Sequence, residues 1–551
     1  MNNRTSSVIT RRQTAALALV AGADFALRIA IVRPGSFQFS DGIRLIDWPT
    51  AVASKVQPLV PALVVGLRQF GIDPILAAGL VASTLGALAV FPLFLLAARL
   101  YGEEAGWWAV ALYSANFFVY MQSAGVTANP ALVFCLLAAA LALLDLAESE
   151  GRYGATALVA WAGLAALARP EGLLLWPLAL LGAMWQVKQH GTAAVPALGV
   201  AAVPMAAWAY WNFRVAHGFE YGGEIAVGAG LATPAKFAKY LLAYLKDFSA
   251  GLLHVYTVAA LAGVVISVRR FGTETAARAW NYFLAYCAAA FLVVLALHWA
   301  FVPRLLAPLV VLALVPAGLA LHALSLRHVA LRIACVVLVA LTAVGGTAVI
   351  VGLHGALRGI GGDIRAAAEA LPSVTTQTDR IVADLPTETA YFSGRAVSFY
   401  IPSLANAGDV VVLNNVTTDL DAETRALSRR FAVRTLLERT APYVSPKKGG
   451  LPIKKGGVGM MDLSERERPL AEEPYRTVVL RLGRNNPHPG LRPPLSRLAG
   501  EGPGVRAFCF PPADLIDSPT ACAEPLKRLD INKLSPAQHG VPKEIAPWRV
   551  P

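Results

Sequence analysis

The chain has 551 residues, of which 56% are hydrophobic and only 15% charged. Soluble globular chains carry about 25% charged residues, so an ordinary water-soluble enzyme is excluded, as is a disordered chain. Five cysteines also exclude a disulfide-stapled secreted domain. The mean hydropathy of +0.54 fits a polytopic membrane protein, in which the net charge of +13 reads first as loop retention and attraction to anionic lipid or phosphate.

Arg4, Arg11 and Arg12 precede an apolar run from about Thr14 to Val32. Its length is about what a spanning helix needs. No small-x-small site closes it, so it reads as an uncleaved first helix that starts in the cytoplasm. Further apolar runs lie near Ala77–Ala98, Ala105–Met121, Pro130–Leu146, Ala155–Ala168, Leu173–Trp185 and Ala193–Trp211. Others lie near Gly251–Val268, Trp280–Trp299, Leu305–Leu321 and Val329–Val351. Together they predict about eleven spans, all helical because backbone polar groups in lipid must be satisfied within the segment. With the N-terminus inside, the cytoplasmic turns hold Arg152, Lys188, Arg269, Arg270, Arg278, Arg327 and Arg332, as the positive-inside rule requires. The long first outside loop, residues 33–72, departs from that rule with Arg33, Arg44 and Lys55. Basic residues there oppose the topology, which points to a role for them.

After the span-rich part, residues 1–353, the chain changes character. Residues 354–484 alternate helix-like and short strand-like patterns and predict a small α/β domain. An odd number of spans puts it on the outer face. Residues 485–551 are rich in Pro, Gly and Arg and read as a poorly ordered tail. Cys509 and Cys522 lie in it, with nothing to fix a pairing geometry.

The first outside loop holds Asp41, Asp47 and the aromatics Phe37, Phe39 and Trp48. On composition alone it is a solvated amphipathic connector. Its order of motifs says more. Asp41-Gly42 is followed by Gln57-Pro58-Leu59-Val60-Pro61, then by Ala128-Asn129-Pro130 at a helix start. Gly163-Leu164-Ala165-Ala166-Leu167-Ala168-Arg169-Pro170-Glu171-Gly172 comes next, and His298 leads a segment that runs through Arg304 to Pro308. This ordered set resembles the GT-C superfamily of glycosyltransferases, in the branch of the protein O-mannosyltransferases and the aminoarabinose transferase of lipid A. Those enzymes have an Asp-Glu pair in that loop, a PPLYP-like segment, a Thr-Glu-Pro, a GLAxLxRPEGLLL-like stretch and an RYLLP element. The resemblance covers roughly residues 10 to 355. Two family acids are replaced here, one by Gly42 and one by Asn129.

The resemblance implies an all-α polytopic membrane protein of GT-C type with an outer-face α/β domain. It implies transfer of a sugar, with inversion, from a polyprenyl-phosphate carrier to a lipid, glycan or protein acceptor at the periplasmic face of a bacterial inner membrane. Such chemistry needs a base for the acceptor and cations for the departing phosphate. A carboxylate near the membrane surface suits the first need, and Asp41 fits by position. Asp47 is a second candidate base or the cap of the helix beginning at Trp48-Pro49. Arginine presents a fork suited to phosphate, which makes Arg304 the first candidate and Arg169, Lys236, Lys239 and Lys246 further ones. Arg44, Asn129, Glu171 and His298 complete the candidate set. Arg169 and Glu171 either line the donor site or neutralise each other, and His298 is either an acid-base group or an interfacial hydrogen-bonder. Asp24 and Arg28, at i and i+4 in the first helix, are either functional intramembrane charges or a structural pair.

Some enzymes of this superfamily use a divalent cation and others do not. With Gly42 and Asn129 in place of acids, few hard oxygen ligands remain, so no metal site or firm cofactor is assigned and a divalent cation stays open. The sequence contains no GxxxxGK, HExxH or Cys-x-x-Cys pattern, against ATP-driven transport, zinc proteolysis and thiol redox chemistry. A lipid or solute transporter is the main alternative, though the paired repeats typical of one are not visible. A non-catalytic scaffold of the same fold is the other.

Overall fold

The computed structural model describes residues 10–31, 39–124, 127–148, 153–217, 234–252, 254–297, 306–357, 362–415, 418–441, 475–484 and 509–510. The first part is helical throughout. Helix α1 (Arg11–Ile31) is followed by three short helices, α2 (Phe39–Ile46), α3 (Trp48–Ala53) and α4 (Leu59–Arg68). Then come α5 (Pro74–Leu88), α6 (Val90–Tyr101), α7 (Glu103–Ala115), α8 (Phe117–Ala124), α9 (Asn129–Glu148) and α10 (Gly154–Ala168). A 3-10 turn (Pro170–Leu175) leads into α11 (Trp176–His190), α12 (Val195–Ala201) and α13 (Val203–Tyr210), closed by a π turn at Trp211–Val215. The long helices resume with α14 (Pro234–Gly251), α15 (Val255–Ile266), α16 (Thr275–Leu297), α17 (Ala307–Ser325) and α18 (Val329–Leu357).

Among the described residues, six helices are long and apolar enough to cross a membrane: Arg11–Ala30, Pro74–Tyr101, Asn129–Glu148, Thr275–Val294, Ala307–Ser325 and Val329–Ala348. A seventh is reached if the pair Pro170–Ala201 and Val203–Val215, bent by 48°, counts as one span. The chain is a multi-span membrane protein. The eleven apolar runs and these six to seven spans differ because several runs are broken. The run at 105–121 divides at Asn116, whose extended backbone ends α7 and whose Oδ1 accepts the Val119 N–H at 3.1 Å to start α8. The run at 155–168 is a 15-residue helix, and that at 251–268 holds a 12-residue helix ending in a π turn.

Small residues let these helices approach closely. Gly263 of α15 lies directly on the Pro316 carbonyl of α17, where any Cβ would collide. Two charges in the middle and last turns of the first helix face inward: Asp24 and Arg28 are buried and paired at 3.3 Å. The Tyr120 hydroxyl donates to Asp24 at 2.6 Å, and the Arg28 guanidinium lies 4.3 Å from the centre of the Tyr120 ring. The arrangement ties α1 to α8 as a structural ion pair.

After α18 the chain forms α19 (Gly362–Val374), β1 (Ile381–Ala383), α20 (Pro386–Ser393), β2 (Val397–Phe399), β3 (Val410–Asn414), α21 (Leu420–Ser428), β4 (Ala432–Ala441), β5 (Tyr475–Gly483) and β6 (Cys509–Phe510). The sheet order is β4-β5-β3-β1-β2-β6. β1 is parallel to β2 and β3, whereas β5 runs antiparallel to β3 and β4. Strands β1 and β3 are buried along their length, as expected for parallel strands covered on both faces. Of residues 485–551, only Cys509 and Phe510 are described, on β6 beside Ser398 and Val397; Cys522 lies outside the described residues.

A buried polar knot joins α19 to this sheet. Asp363 accepts hydrogen bonds from Asn414 Nδ2 and Thr477 Oγ1, both at 2.7 Å. Burial pushes its carboxyl above the ordinary carboxylate range, with the two hydrogen bonds working the other way. A raised folded-state pKa stabilises the fold below the unfolded value and the contribution is lost as pH rises. Thermal unfolding of Asp363→Asn against wild type is therefore expected to show a melting-temperature difference, variant minus wild type, that grows as pH rises from about 4 to about 8. A pH-independent difference would contradict the role given to burial.

Candidate functional site

The loop after α1 is built from short amphipathic helices, and its apolar sides decide where it sits. Ile43 and Ile46 of α2 are fully buried. They join Val60 and Val64 of α4, Ile75 and Ala78 of α5, Ala128 and Ala131 at the start of α9, and Ala168 at the end of α10 in one apolar cluster. The helix carrying Asp41, the PLVP segment, the turn at Asn129-Pro130 and the turn at Arg169-Pro170 therefore converge on one seat. Asp41 is on α2; its side chain lies outside the described residues.

Polar contacts fix the rest of the loop. Asp47 caps α3, accepting from the Thr50 N–H at 3.1 Å and the Thr50 hydroxyl at 2.6 Å, with Pro49 in the first turn. Of the two roles open to Asp47, the geometry supplies the cap. Arg68 donates from NH1 to the Ile46 carbonyl at 3.1 Å, closing the end of α2. Asp73 caps α5 through the Ile75 and Leu76 N–H groups. Arg44 is half-buried on α2.

Two buried amides hold the loop to the helix bundle. Gln57, directly before the PLVP segment, and Asn212, in the π turn, are each 1% exposed. Their side-chain amides pair reciprocally at 3.4 Å. Beside them the Trp211 indole donates to the Val56 carbonyl at 3.0 Å, and the Trp48 and Trp211 rings meet edge to face, 5.1 Å between centres. A π turn within an apolar helix often marks a functional position, but its sequence carries no distinctive signal. A buried amide in an apolar run, such as Asn212, was the one available clue.

Arg169 and Glu171 form a two-pronged pair, Nε to Oε2 and NH2 to Oε1, both at 3.0 Å. Glu171 is only 5% exposed, and Arg169 meets both of its carboxylate oxygens. The turn that brings them together needs Gly172, because a Cβ there would collide with the Ala165 backbone. Mutual neutralisation is thus the geometry seen. Asn129 is buried at the start of α9. Lys239 and Lys246 are exposed on α14, which packs on α16 and α17. Lys236 is on the same helix, with its side chain outside the described residues. His298 and Arg304 lie outside the described residues altogether, between the end of α16 and the start of α17. No group of three or more His, Cys, Asp or Glu among the described residues has a geometry that would hold a metal ion.

Residues 56–211 match the model of the family described as dolichyl-phosphate-mannose-protein mannosyltransferase. The matched stretch runs from the residue before Gln57 to the residue before Asn212. The fold is similar to the crystal structure of ArnT from Cupriavidus metallidurans bound to undecaprenyl phosphate, with TM-score 0.50 and 15% identity, covering 77% of this chain and 96% of that one. The archaeal oligosaccharyltransferase AglB from Archaeoglobus fulgidus, in complex with an inhibitory peptide and a dolichol-phosphate, gives TM-score 0.49 and 12% identity over 83% of this chain and 77% of that one. No curated protein matches the sequence.

The cap at Asp47 makes a direct prediction. Asp47→Ala is expected to lower stability by about 1 kcal/mol while leaving specific activity within about twofold, and Asp47→Asn to restore the stability. Thermal unfolding and turnover measured on the same preparations check this; a stable Asp47→Ala protein without turnover would return Asp47 to the role of base.

Proposed function

We propose, from the family-model match over residues 56–211 and the ArnT-like fold, that this chain is a glycosyltransferase of the GT-C superfamily and moves a sugar from a polyprenyl-phosphate carrier to a lipid, glycan or protein acceptor. The observation that carries this reading is the convergence of the Asp41 helix, the PLVP segment and the turns at Asn129 and Arg169 on one apolar seat. Three other stretches of the sequence are gathered around a carboxylate-bearing helix, as a preorganised site requires.

In the proposed reaction Asp41 takes the proton of the acceptor hydroxyl or amine. The acceptor atom bonds to the anomeric carbon from the face opposite the carrier, and the bond from that carbon to the phosphate oxygen breaks. The configuration inverts, and the electron pair leaves on the polyprenyl phosphate. Arg304 is proposed to hold that phosphate, with Lys236 and Lys239 as further cations and His298 beside them. Arg169 serves the donor side by fixing its turn through Glu171. Gly42 and Asn129 stand where acids would add metal ligands, so the proposed reaction has no resident cofactor.

We place the site at the periplasmic face of a bacterial inner membrane. About eleven crossings are proposed, with the broken apolar runs counted beside the six to seven long spans; the N-terminus is cytoplasmic, and residues 354–484 form an outer α/β domain. The positive residues of the inside turns support this orientation.

The test is transfer from radiolabelled polyprenyl-phosphate sugars by full-length protein in proteoliposomes. Asp41→Asn is expected to lower turnover by about 10²–10⁴-fold at unchanged expression, and Arg304→Ala to raise the donor KM. Full activity of Asp41→Asn would remove Asp41 as the base, and an unchanged donor KM would remove Arg304 from the phosphate.

A further inference from the structure

Helix α20 of the sheet region is only eight residues long, Pro386–Ser393, with Pro386 in its first turn and Gly394 at φ +63° ending it. It packs on α19 on one side and on α2 on the other. Tyr391 and Phe392 are the hydrophobic residues of this helix that reach the apolar cluster to which Ile43 and Ile46 of α2 belong. Both pack against the cluster of Ile43, Ile46, Val60 and Ile75, and their rings meet edge to face at 5.1 Å. Arg365 of α19 lies 5.5 Å from the centre of the Phe392 ring, which ties the aromatic pair back to its own region.

The surroundings of Tyr391 locate it further. The charges that act on its hydroxyl, besides burial and Arg365, are those of Arg68, Asp47 and Asp73. Arg68 closes α2, Asp47 caps α3 and Asp73 caps α5. Tyr391 therefore shares an electrostatic neighbourhood with the three side chains that end and begin the loop helices. An aromatic pair from a region about 350 residues away in sequence fills the same seat that holds the Asp41 helix. Large rings filling such a seat restrict the backbone they touch, because packed interiors leave no room for partial shifts.

We infer that Tyr391 and Phe392 are positioning residues that hold the Asp41-bearing helix in register for transfer, so that the C-terminal sheet region is part of the working site. The inference rests on the reading of Asp41 as the base. Without the two rings α2 keeps its sequence and its helix but loses one wall of its seat. A displacement of about 1 Å at a reacting group is enough to lower turnover by about 10²-fold. Such a loss falls on kcat, because the proposed donor cations are carried by segments of the sequence other than α2.

The experiment uses full-length protein in nanodiscs, with hydrogen exchange at residues 40–46 as one readout and kinetics with polyprenyl-phosphate mannose as the other. In Tyr391→Ala/Phe392→Ala, exchange at 40–46 is expected to rise about tenfold or more while β1 and β3 keep their protection. Turnover is expected to fall about tenfold to a hundredfold with donor KM within about threefold. Tyr391→Phe/Phe392→Leu is expected to restore both readouts. If β1 and β3 also lose protection, Tyr391→Ala alone is read by the same criteria. Unchanged exchange at 40–46 would overturn the docking, and raised exchange at unchanged kcat would overturn the positioning role. A wild type inert toward the probe, with exchange at 40–46 still responding, would instead overturn the transfer reading and leave the contact in place.

Discussion

The apolar seat shared by Ile43, Ile46, Val60, Ile75, Ala128 and Ala168 is the contact on which the rest of the arrangement depends. A loop of short helices has little stability of its own, because helices shorter than about 12 residues are marginal in water. Burying an Ile or Val side chain contributes about 1.5–3 kcal/mol, and α2 and α4 gain that stabilisation only where they are. The seat is closed from the bundle by Gln57 with Asn212 and from the sheet region by Tyr391 and Phe392. The position of Asp41 is thus set by elements from three distant parts of the chain.

Charges elsewhere follow a common rule. Asp24 is matched by Arg28 and Tyr120, Glu171 by Arg169, and Asp47 by the α3 cap. Buried pairs of this kind contribute little net stability, yet breaking one is strongly destabilising, by about 3–5 kcal/mol. They therefore hold geometry rather than supply it. The pairing of Arg169 with Glu171 lets that turn hold both residues: a lone carboxylate or a lone guanidinium there would be a buried uncompensated charge. It also separates the structural arginine from Arg304, which the resemblance assigns to phosphate.

Much of the membrane part was legible in the sequence. The runs that became α1, α5 with α6, α9, α16, α17 and α18 are long and mostly apolar, and hydropathy finds such helices directly. The breaks were not legible. Asn116 ends one helix and caps the next within a run that reads as continuous, since one polar residue hardly changes a window average. The ordered motifs located the seat, because Asp41, Pro58–Pro61, Asn129 and Arg169 are distinctive residues in a poor background. The Gln57–Asn212 pair was hidden by a separation of 155 residues. Tyr391 and Phe392 were hidden for a different reason: an aromatic pair in an α/β region reads as ordinary core until the neighbouring surface is known.

The most direct measurement is the fate of the carrier. Sealed proteoliposomes holding the full-length protein, an acceptor-containing envelope extract and polyprenyl-phosphate mannose or a nucleotide-linked mannose would be analysed by mass spectrometry for free polyprenyl phosphate. Release of polyprenyl phosphate together with a mannosylated product, from the lipid-linked donor alone, is the result predicted for a lipid-dependent transferase. Movement of the intact glycolipid between leaflets without cleavage, or transfer from the nucleotide-linked sugar, would contradict it.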